Sequence, residues 1–128
     1  MITRRFILAA ALLPGALGSV ASAEPSAFDQ AAFEAAQAAG RPILVEITAP
    51  WCPICKTQRP IIARLAQEPR FRDLAVFEVD FDGRKDVVRA LNARMQSTLI
   101  AYRGRTEVGR SVGETQAEWI ESFLEKTL

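Results

Sequence analysis

The side chains best suited to chemistry in this chain are its two cysteines, Cys52 and Cys55, which are separated by two residues. Thiols at this spacing can form a disulfide with each other and can exchange electrons with a disulfide in another molecule. The chain has no histidine, which excludes a Cys/His protease, a Ser/His hydrolase and a Cys2His2 zinc site. A closed tetrahedral metal site would lack two of its four ligands. The plainest alternative to a redox pair is two inert core thiols.

The segments around the cysteines favour the redox interpretation. Residues 43–48 form a β-branched run with the composition of a central strand, and a helical stretch to about Gln67 follows the cysteines. In an open α/β sheet the functional crevice lies at the carboxyl ends of the strands. A thiol at a helix N-terminus lies beside unpaired N–H groups and the positive end of the helix dipole, which favour thiolate. We therefore expect Cys52 to be the nucleophile and Cys55, one helical turn on, to resolve the mixed disulfide. Pro53 suits the first turn, where its missing N–H is not needed.

The rest of the chain predicts an α/β fold, a central mixed β-sheet flanked by helices in a single domain. The strands at 43–48 and 74–81 should be parallel, because a helix connects them in a right-handed crossover. A tight turn at residues 103–105 predicts an antiparallel hairpin between the last two strands. The remaining predicted elements are a first helix at 27–39 capped by Ser26, a helix at 86–95, strands at 98–102 and 106–111, and a last helix that begins with a capping box of Thr115 and Glu118.

The N-terminus has the features of a secretory signal peptide over residues 1–23. A short basic region at Arg4 and Arg5 precedes an apolar run from 6 to about 20 and an Ala-Ser-Ala cleavage site, so we expect cleavage after Ala23. The run is shorter than the roughly 20 apolar residues needed to span a bilayer, which disfavours an uncleaved anchor. Thr3-Arg4-Arg5 also resembles a twin-arginine export signal, and the choice between the two export routes stays open. We expect the protein to be periplasmic.

The mature protein, residues 24–128, has the composition of one globular domain. Loss of the two N-terminal arginines leaves 14 basic and 15 acidic residues, a net charge of −1. A charge so close to zero gives no argument for a nucleic-acid partner. Export also bears on the thiols, because thiol pairs in the oxidising periplasm become disulfides unless they are actively reduced.

The motif at the cysteines resembles that of the thioredoxin superfamily, in its exported thioredoxin-like branch. The likeness is centred on W-C-x-x-C-K at residues 51–56, with an acid six residues before the first cysteine, Glu46, and a proline five residues after the second, Pro60. It implies a thioredoxin-like fold and activity on protein thiols and disulfides. It also implies a monomer without a dissociable cofactor, and a membrane-borne electron-transfer partner for a reducing role. Trp51, Pro53, Gln96 and Ser97 would line the substrate surface.

Three departures from the family pattern carry information. Pro53-Ile54 stands where the family often has Gly-Pro, and these two residues tune the redox potential. Gln96-Ser97 stands where the family has a residue followed by a cis-proline. A non-proline cis peptide costs about 2.5–4 kcal/mol, so we predict a trans bond between Gln96 and Ser97. Glu78 stands where the family often has a lysine near its buried acid.

The two strand glutamates form the second candidate for chemistry. Glu46 and Glu78 each interrupt an apolar strand, and the two strands are expected to be neighbours. Burial and a nearby like charge both disfavour ionisation, so one of the two should have a raised pKa. We expect Glu46 to take the Cys55 proton through a water during attack on the mixed disulfide. The alternative is a pair of satisfied structural acids.

Two other functions stay open on the sequence alone. A binding module could keep the fold and lose efficient exchange, with Gln96-Ser97 marking a changed recognition loop. Copper(I) delivery by the two thiolates, with Met95 nearby, is a second alternative, because soft sulfur ligands suit that ion.

Overall fold

A five-stranded mixed sheet forms the centre of the protein. The computed structural model describes residues 24–128 together with Ala11 and Gly15, so the predicted signal peptide lies outside the described residues except at those two positions. The spatial order is β1-β3-β2-β4-β5, in which β1, β3 and β2 are parallel and β4 and β5 are antiparallel to their neighbours. The strands are β1 (Ser26–Ala27), β2 (Pro42–Thr48), β3 (Ala75–Asp80), β4 (Thr98–Arg103) and β5 (Thr106–Val112).

Helices cover both faces of the sheet, which confirms the predicted fold class. They are α1 (Gln30–Ala38), α2 (Pro53–Ala66), α3 (Lys85–Ala90) and α4 (Ala117–Glu125), with a 3-10 turn at Pro69–Phe71. Side chains of α1 and α3 pack on one face, against Val45, and those of α2 and α4 pack on the other, against Leu44. The central strand β2 is therefore buried on both faces, as its β-branched run predicts. Among the described helices, none is both long and apolar enough to cross a membrane.

The predicted start of the first helix is wrong. Ser26 lies in β1, paired with Phe77, and the helix cap is Asp29, whose carboxylate accepts a hydrogen bond from the Ala32 N–H at 2.8 Å. The chain remains extended up to Phe28, whose N–H donates to the Glu78 carbonyl at 2.8 Å. Pairing with β3 thus outcompetes the local capping signal at Ser26.

The third helix ends earlier than predicted, at Ala90 instead of residue 95. Asn92 has a φ of 55°, in the left-handed region that asparagine tolerates better than most residues and that commonly ends helices. Arg110 of β5 donates to the carbonyls of Leu91 and Asn92 at 2.8 and 3.0 Å. These two bonds satisfy carbonyls that the end of the helix leaves free.

The capping box predicted for the last helix is also wrong. The N-cap residue is Gln116, and its side chain makes no capping hydrogen bond. The carboxylate of Glu114 instead accepts from the N–H groups of Thr115 and Gln116, at 3.2 Å each. The Glu114 carboxylate therefore binds the N–H groups of the two residues directly before α4, and a negative charge before a helix is favourable for the helix dipole.

Candidate active site

The cysteine pair lies at the start of α2, directly beyond the carboxyl end of β2. Cys52 is the N-cap residue, Pro53 occupies the first turn, and the Cys52 Sγ accepts a hydrogen bond from the Cys55 N–H at 3.2 Å. The two sulfurs form a disulfide. The predicted position of Cys52 at a helix N-terminus is therefore confirmed. Its sulfur accepts a hydrogen bond from one of the N–H groups that the start of a helix leaves free.

Both cysteines are more enclosed than the sequence suggests for a reactive pair. Each is only 1% exposed in the disulfide form, and they pack with Ala49 against Phe81. The sequence shows only that the pair begins a helix, where a thiolate is favoured. It does not show that Phe81, just after β3, packs beside that helix start.

Trp51 forms the exposed side of the site. It is 55% exposed, and its Nε1 donates a hydrogen bond of 2.6 Å to the Asp82 carboxylate. The sequence does not predict Asp82 as a site residue, although it follows β3 at the same edge of the sheet where Cys52 follows β2. An acid directly beyond the carboxyl end of a parallel strand was the available signal.

The two strand glutamates lie side by side, as the predicted sheet requires. Glu46 of β2 is the register partner of Glu78 of β3, so both side chains are on the face that α2 covers. Glu46 is buried, while Glu78 is partly exposed. Burial, with a smaller contribution from the Glu78 charge, raises the pKa of Glu46 to about 8, and the Arg59 charge opposes the rise. The raised pKa expected for one of the pair falls on Glu46.

Arg59 links the cysteine helix to this part of the sheet. It is one helical turn after Cys55, and its guanidinium donates to the Thr48 Oγ1 at 2.9 Å. Arg59, Thr48 and Glu78 line a cavity of about 350 Å³ beside β1 and β3. Glu46 therefore has a positive charge near it, Arg59 on α2, and an acid near it, Glu78 on β3.

The Gln96–Ser97 segment precedes β4, and its geometry differs from that of a cis-proline loop. All peptide bonds of residues 24–128 are trans, as predicted for the bond between Gln96 and Ser97. Ser97 is buried and has a φ of 59°, in the left-handed region. The Thr98 hydroxyl donates to the Met95 carbonyl at 2.7 Å, which closes the turn.

Gln58 is a buried residue of the site that the sequence does not predict. Its Nε2 donates to the carbonyls of Ser97 and Glu114, at 3.3 and 2.8 Å. The signal was present, since Gln58 is a polar residue among the inward positions 55, 58, 62 and 65 of a helix, and buried amides are nearly always hydrogen-bonded.

The described residues offer no cluster of three or more cysteine, aspartate or glutamate side chains that could hold a metal ion. A disulfide at the N-terminus of a helix, at the carboxyl edge of a mixed sheet, defines a class of protein that exchanges dithiols and disulfides.

Comparison with known proteins identifies the family. The Thioredoxin family profile matches residues 20–126. Thioredoxin-2 of Saccharomyces cerevisiae is 34% identical over 86 residues, which cover 66% of this chain and 81% of that protein. Thioredoxin H2-1 of Oryza sativa is 35% identical over 86 residues, 67% of this chain and 57% of that protein. The crystal structure of Trxlp from Edwardsiella tarda matches with a TM-score of 0.77 and 44% identity, over 79% of this chain and 98% of that one.

The chain belongs to the thioredoxin family. Members of this family are thiol-disulfide oxidoreductases, and the pair Cys52 and Cys55 fits that activity.

Proposed function

We propose that this chain is an exported oxidoreductase that exchanges electrons with thiols and disulfides of other proteins in the bacterial periplasm. The observation that carries the proposal is the Cys52–Cys55 disulfide at the N-cap of α2, where the Cys55 N–H donates to the Cys52 sulfur. The helix dipole and this N–H both stabilise negative charge on that sulfur. The sulfurs carry the electrons, so no dissociable cofactor is needed.

In the reducing direction the reaction has two steps. The Cys52 thiolate attacks a substrate disulfide, which forms a mixed disulfide and releases one substrate thiolate. The Cys55 thiol then gives its proton to the Glu46 carboxylate through a water, and its sulfur attacks the Cys52 sulfur. The second substrate thiolate leaves and takes a proton from solvent, so two electrons have moved from the cysteine pair to the substrate. The exposed Trp51, together with Pro53 and the Gln96–Ser97 loop, contacts the substrate.

The proposal that the protein acts in the periplasm is based on residues 1–23, which have the features of a signal peptide. A reducing role in an oxidising compartment needs a supply of electrons, so a membrane-borne partner would return the Cys52–Cys55 disulfide to the dithiol. The protein is proposed to act as a monomer. Export is tested by the N-terminal sequence of the secreted protein, which should begin at Glu24. Replacement of Arg4 and Arg5 by lysines should block export only if the twin-arginine route is used.

The exchange activity is tested by reduction of insulin with dithiothreitol as the electron donor. The wild-type protein should accelerate reduction, Cys52→Ser should abolish the acceleration, and Cys55→Ser should accumulate mixed disulfides. Wild-type protein that fails to accelerate reduction, although Cys55→Ser captures partners, would instead indicate a binding module. The equilibrium of the pair in dithiothreitol or glutathione buffers then gives its direction, since about −270 mV indicates a reductant and about −120 mV an oxidant.

The base role of Glu46 predicts a specific change in the pH profile. Because the pKa of Glu46 is raised to about 8, the wild-type rate of mixed-disulfide resolution should rise as pH increases through that value. Glu46→Gln should lose this rise and be slower by about 10²-fold at pH 9, the usual contribution of a positioned base. The rate of substrate release from a preformed mixed disulfide, measured by quenched flow, checks this. An unchanged profile would remove Glu46 from the mechanism.

A further inference from the structure

Gln58 occupies a position where the helix otherwise buries apolar groups. Cys55, Ile62 and Leu65 share its inward face of α2, and all three are buried. Gln58 itself is 3% exposed. An apolar side chain could fill this position without the cost of burying an amide. The hydrogen bonds that the amide makes therefore explain why glutamine is used here.

The Gln58 amide joins the cysteine helix to the open end of the β4–β5 hairpin. Its two acceptors are the carbonyl of Ser97, directly before β4, and the carbonyl of Glu114, which closely follows β5. The same Ser97 carbonyl accepts the Gly113 N–H at 3.0 Å, which adds one rung beyond the last paired residues of the hairpin. The two N–H bonds of a single side chain thus attach both loops to the helix that carries the disulfide.

The loop before β4 needs such an attachment because its backbone is unusual. A serine with a φ of 59° is in a region that few residues other than glycine adopt, and such a conformation persists where the surroundings hold it. The contacts that hold the Ser97 carbonyl are the Gly113 N–H and the Gln58 amide. The former belongs to the hairpin itself, so of these two bonds only the latter joins the Ser97 carbonyl to the helix that carries the cysteines.

We infer that Gln58 is a positioning residue, which holds the Gln96–Ser97 loop at a fixed place relative to the Cys52–Cys55 disulfide and thereby sets how tightly a protein disulfide binds. The inference rests on the proposed function, in which this loop contacts the substrate. The Gln58 amide donates its two hydrogen bonds to backbone carbonyls and takes no part in the transfer of electrons or protons. Its loss should therefore weaken substrate binding more than it slows the chemical steps.

The test uses Gln58→Met, which keeps the length of the side chain and removes both donors. With insulin as substrate and dithiothreitol as donor, KM should rise about threefold to tenfold, the effect of losing a hydrogen bond, while kcat changes by less than about twofold. Amide hydrogen exchange of residues 97, 98 and 113 should become faster in the variant. Gln67→Met, on the exposed C-terminal end of the same helix, is the matched control and should behave as wild type.

Two results would overturn the inference. One is unchanged hydrogen exchange in the two loops of Gln58→Met, and the other is a KM within twofold of wild type despite faster exchange. If Gln58→Met does not fold, Gln58→Asn, which keeps the amide and shortens its reach, is subject to the same two criteria. Hydrogen exchange does not depend on catalysis, so an inactive wild-type protein would count against the proposed function, whereas unchanged exchange counts against the role of Gln58.

Discussion

At the scale of single residues, the proton affinity of Glu46 is set by groups from three elements. Enclosure between β2 and α2 is the largest influence, and it raises the pKa because a buried carboxylate loses its hydration. Glu78 of β3 raises the pKa further, while Arg59 of α2 lowers it. With a pKa of about 8, most Glu46 side chains are protonated at neutral pH. The ionised base is therefore a minority form there, and its share grows as the pH rises.

Removal of either of the two charges near Glu46 should change its pKa, in opposite directions for the two. Arg59→Gln should raise the pKa of Glu46 above its wild-type value, and Glu78→Gln should lower it. The measurement is a ¹³C NMR titration of the glutamate carboxyls, in which the spectrum of Glu46→Gln assigns the resonance. Arg64→Gln, further along the same helix and exposed, is the control for loss of a positive charge. An unchanged pKa in both variants would show that burial alone governs this carboxyl, and shifts of the same sign would contradict the opposite effects of the two charges.

The sequence predicts those site residues whose own position in the chain carries the signal. Cys52 and Cys55 are recognisable from their spacing and from the strand before them, and Glu46 from an acid within an apolar run. Gln58 and Asp82 belong to the site only because the fold brings distant segments to them, namely the Ser97 carbonyl and the Trp51 indole. Their partners are 39 and 31 residues away in the chain, which no local pattern can show.

At the scale of elements, periodicity predicts the long strands and helices, and tertiary contacts decide where they begin and end. β2 and α2 lie close to their predicted bounds, because each has a sustained apolar pattern. β1 has two residues, too few for any alternation to be visible, and it exists because β3 offers a free edge. The position of Asn92 in the left-handed region, with Arg110 of β5 on the neighbouring carbonyls, ends α3 within its predicted span.

The helix caps provide a direct energetic test of these bounds. Asp29→Ala should lower the free energy of unfolding by about 1 kcal/mol, because the Ala32 N–H loses its acceptor at the start of α1. Thr115→Ala is the matched control, since Thr115 was predicted as a cap but its side chain does not cap α4. That variant should change stability by less than about 0.5 kcal/mol. Denaturant unfolding of both variants decides, and a larger loss in Thr115→Ala than in Asp29→Ala would contradict the assigned caps.

At the scale of the whole molecule, Glu46 is an ionisable residue within the hydrophobic core. On the face of β2 that packs against α2 and α4, Leu44 is fully buried, and Glu46 continues the same face two residues later. The sheet order puts β2 in the centre, between β3 and β4, so this carboxyl cannot reach solvent along an edge strand. Ionisation of Glu46 must therefore oppose folding of the entire domain.

This coupling predicts how stability depends on pH. The pKa of Glu46 is raised from 4.5 to about 8 in the folded protein. Below pH 4.5 the folded and unfolded chains both hold the proton, so ionisation of Glu46 does not lower the free energy of unfolding. Between pH 4.5 and 8 the folded protein retains a proton that the unfolded chain has lost, so stability falls as pH rises, and above pH 8 the loss is complete. Its upper bound is about 5 kcal/mol.

Glu46→Gln should remove this dependence, because glutamine does not ionise. Relative to wild type, the oxidised variant should become progressively more stable from pH 4.5 to 8, by several kcal/mol at the upper end, with little further gain above it. Urea unfolding of both proteins over this range measures the difference, and comparison across pH cancels any fixed cost of the buried amide. Glu24→Gln, which removes an exposed carboxyl ahead of β1, is the control. A gain that did not grow with pH would mean that the Glu46 carboxyl is ionised without penalty in the fold, which would also remove the reason to expect a base active near pH 8.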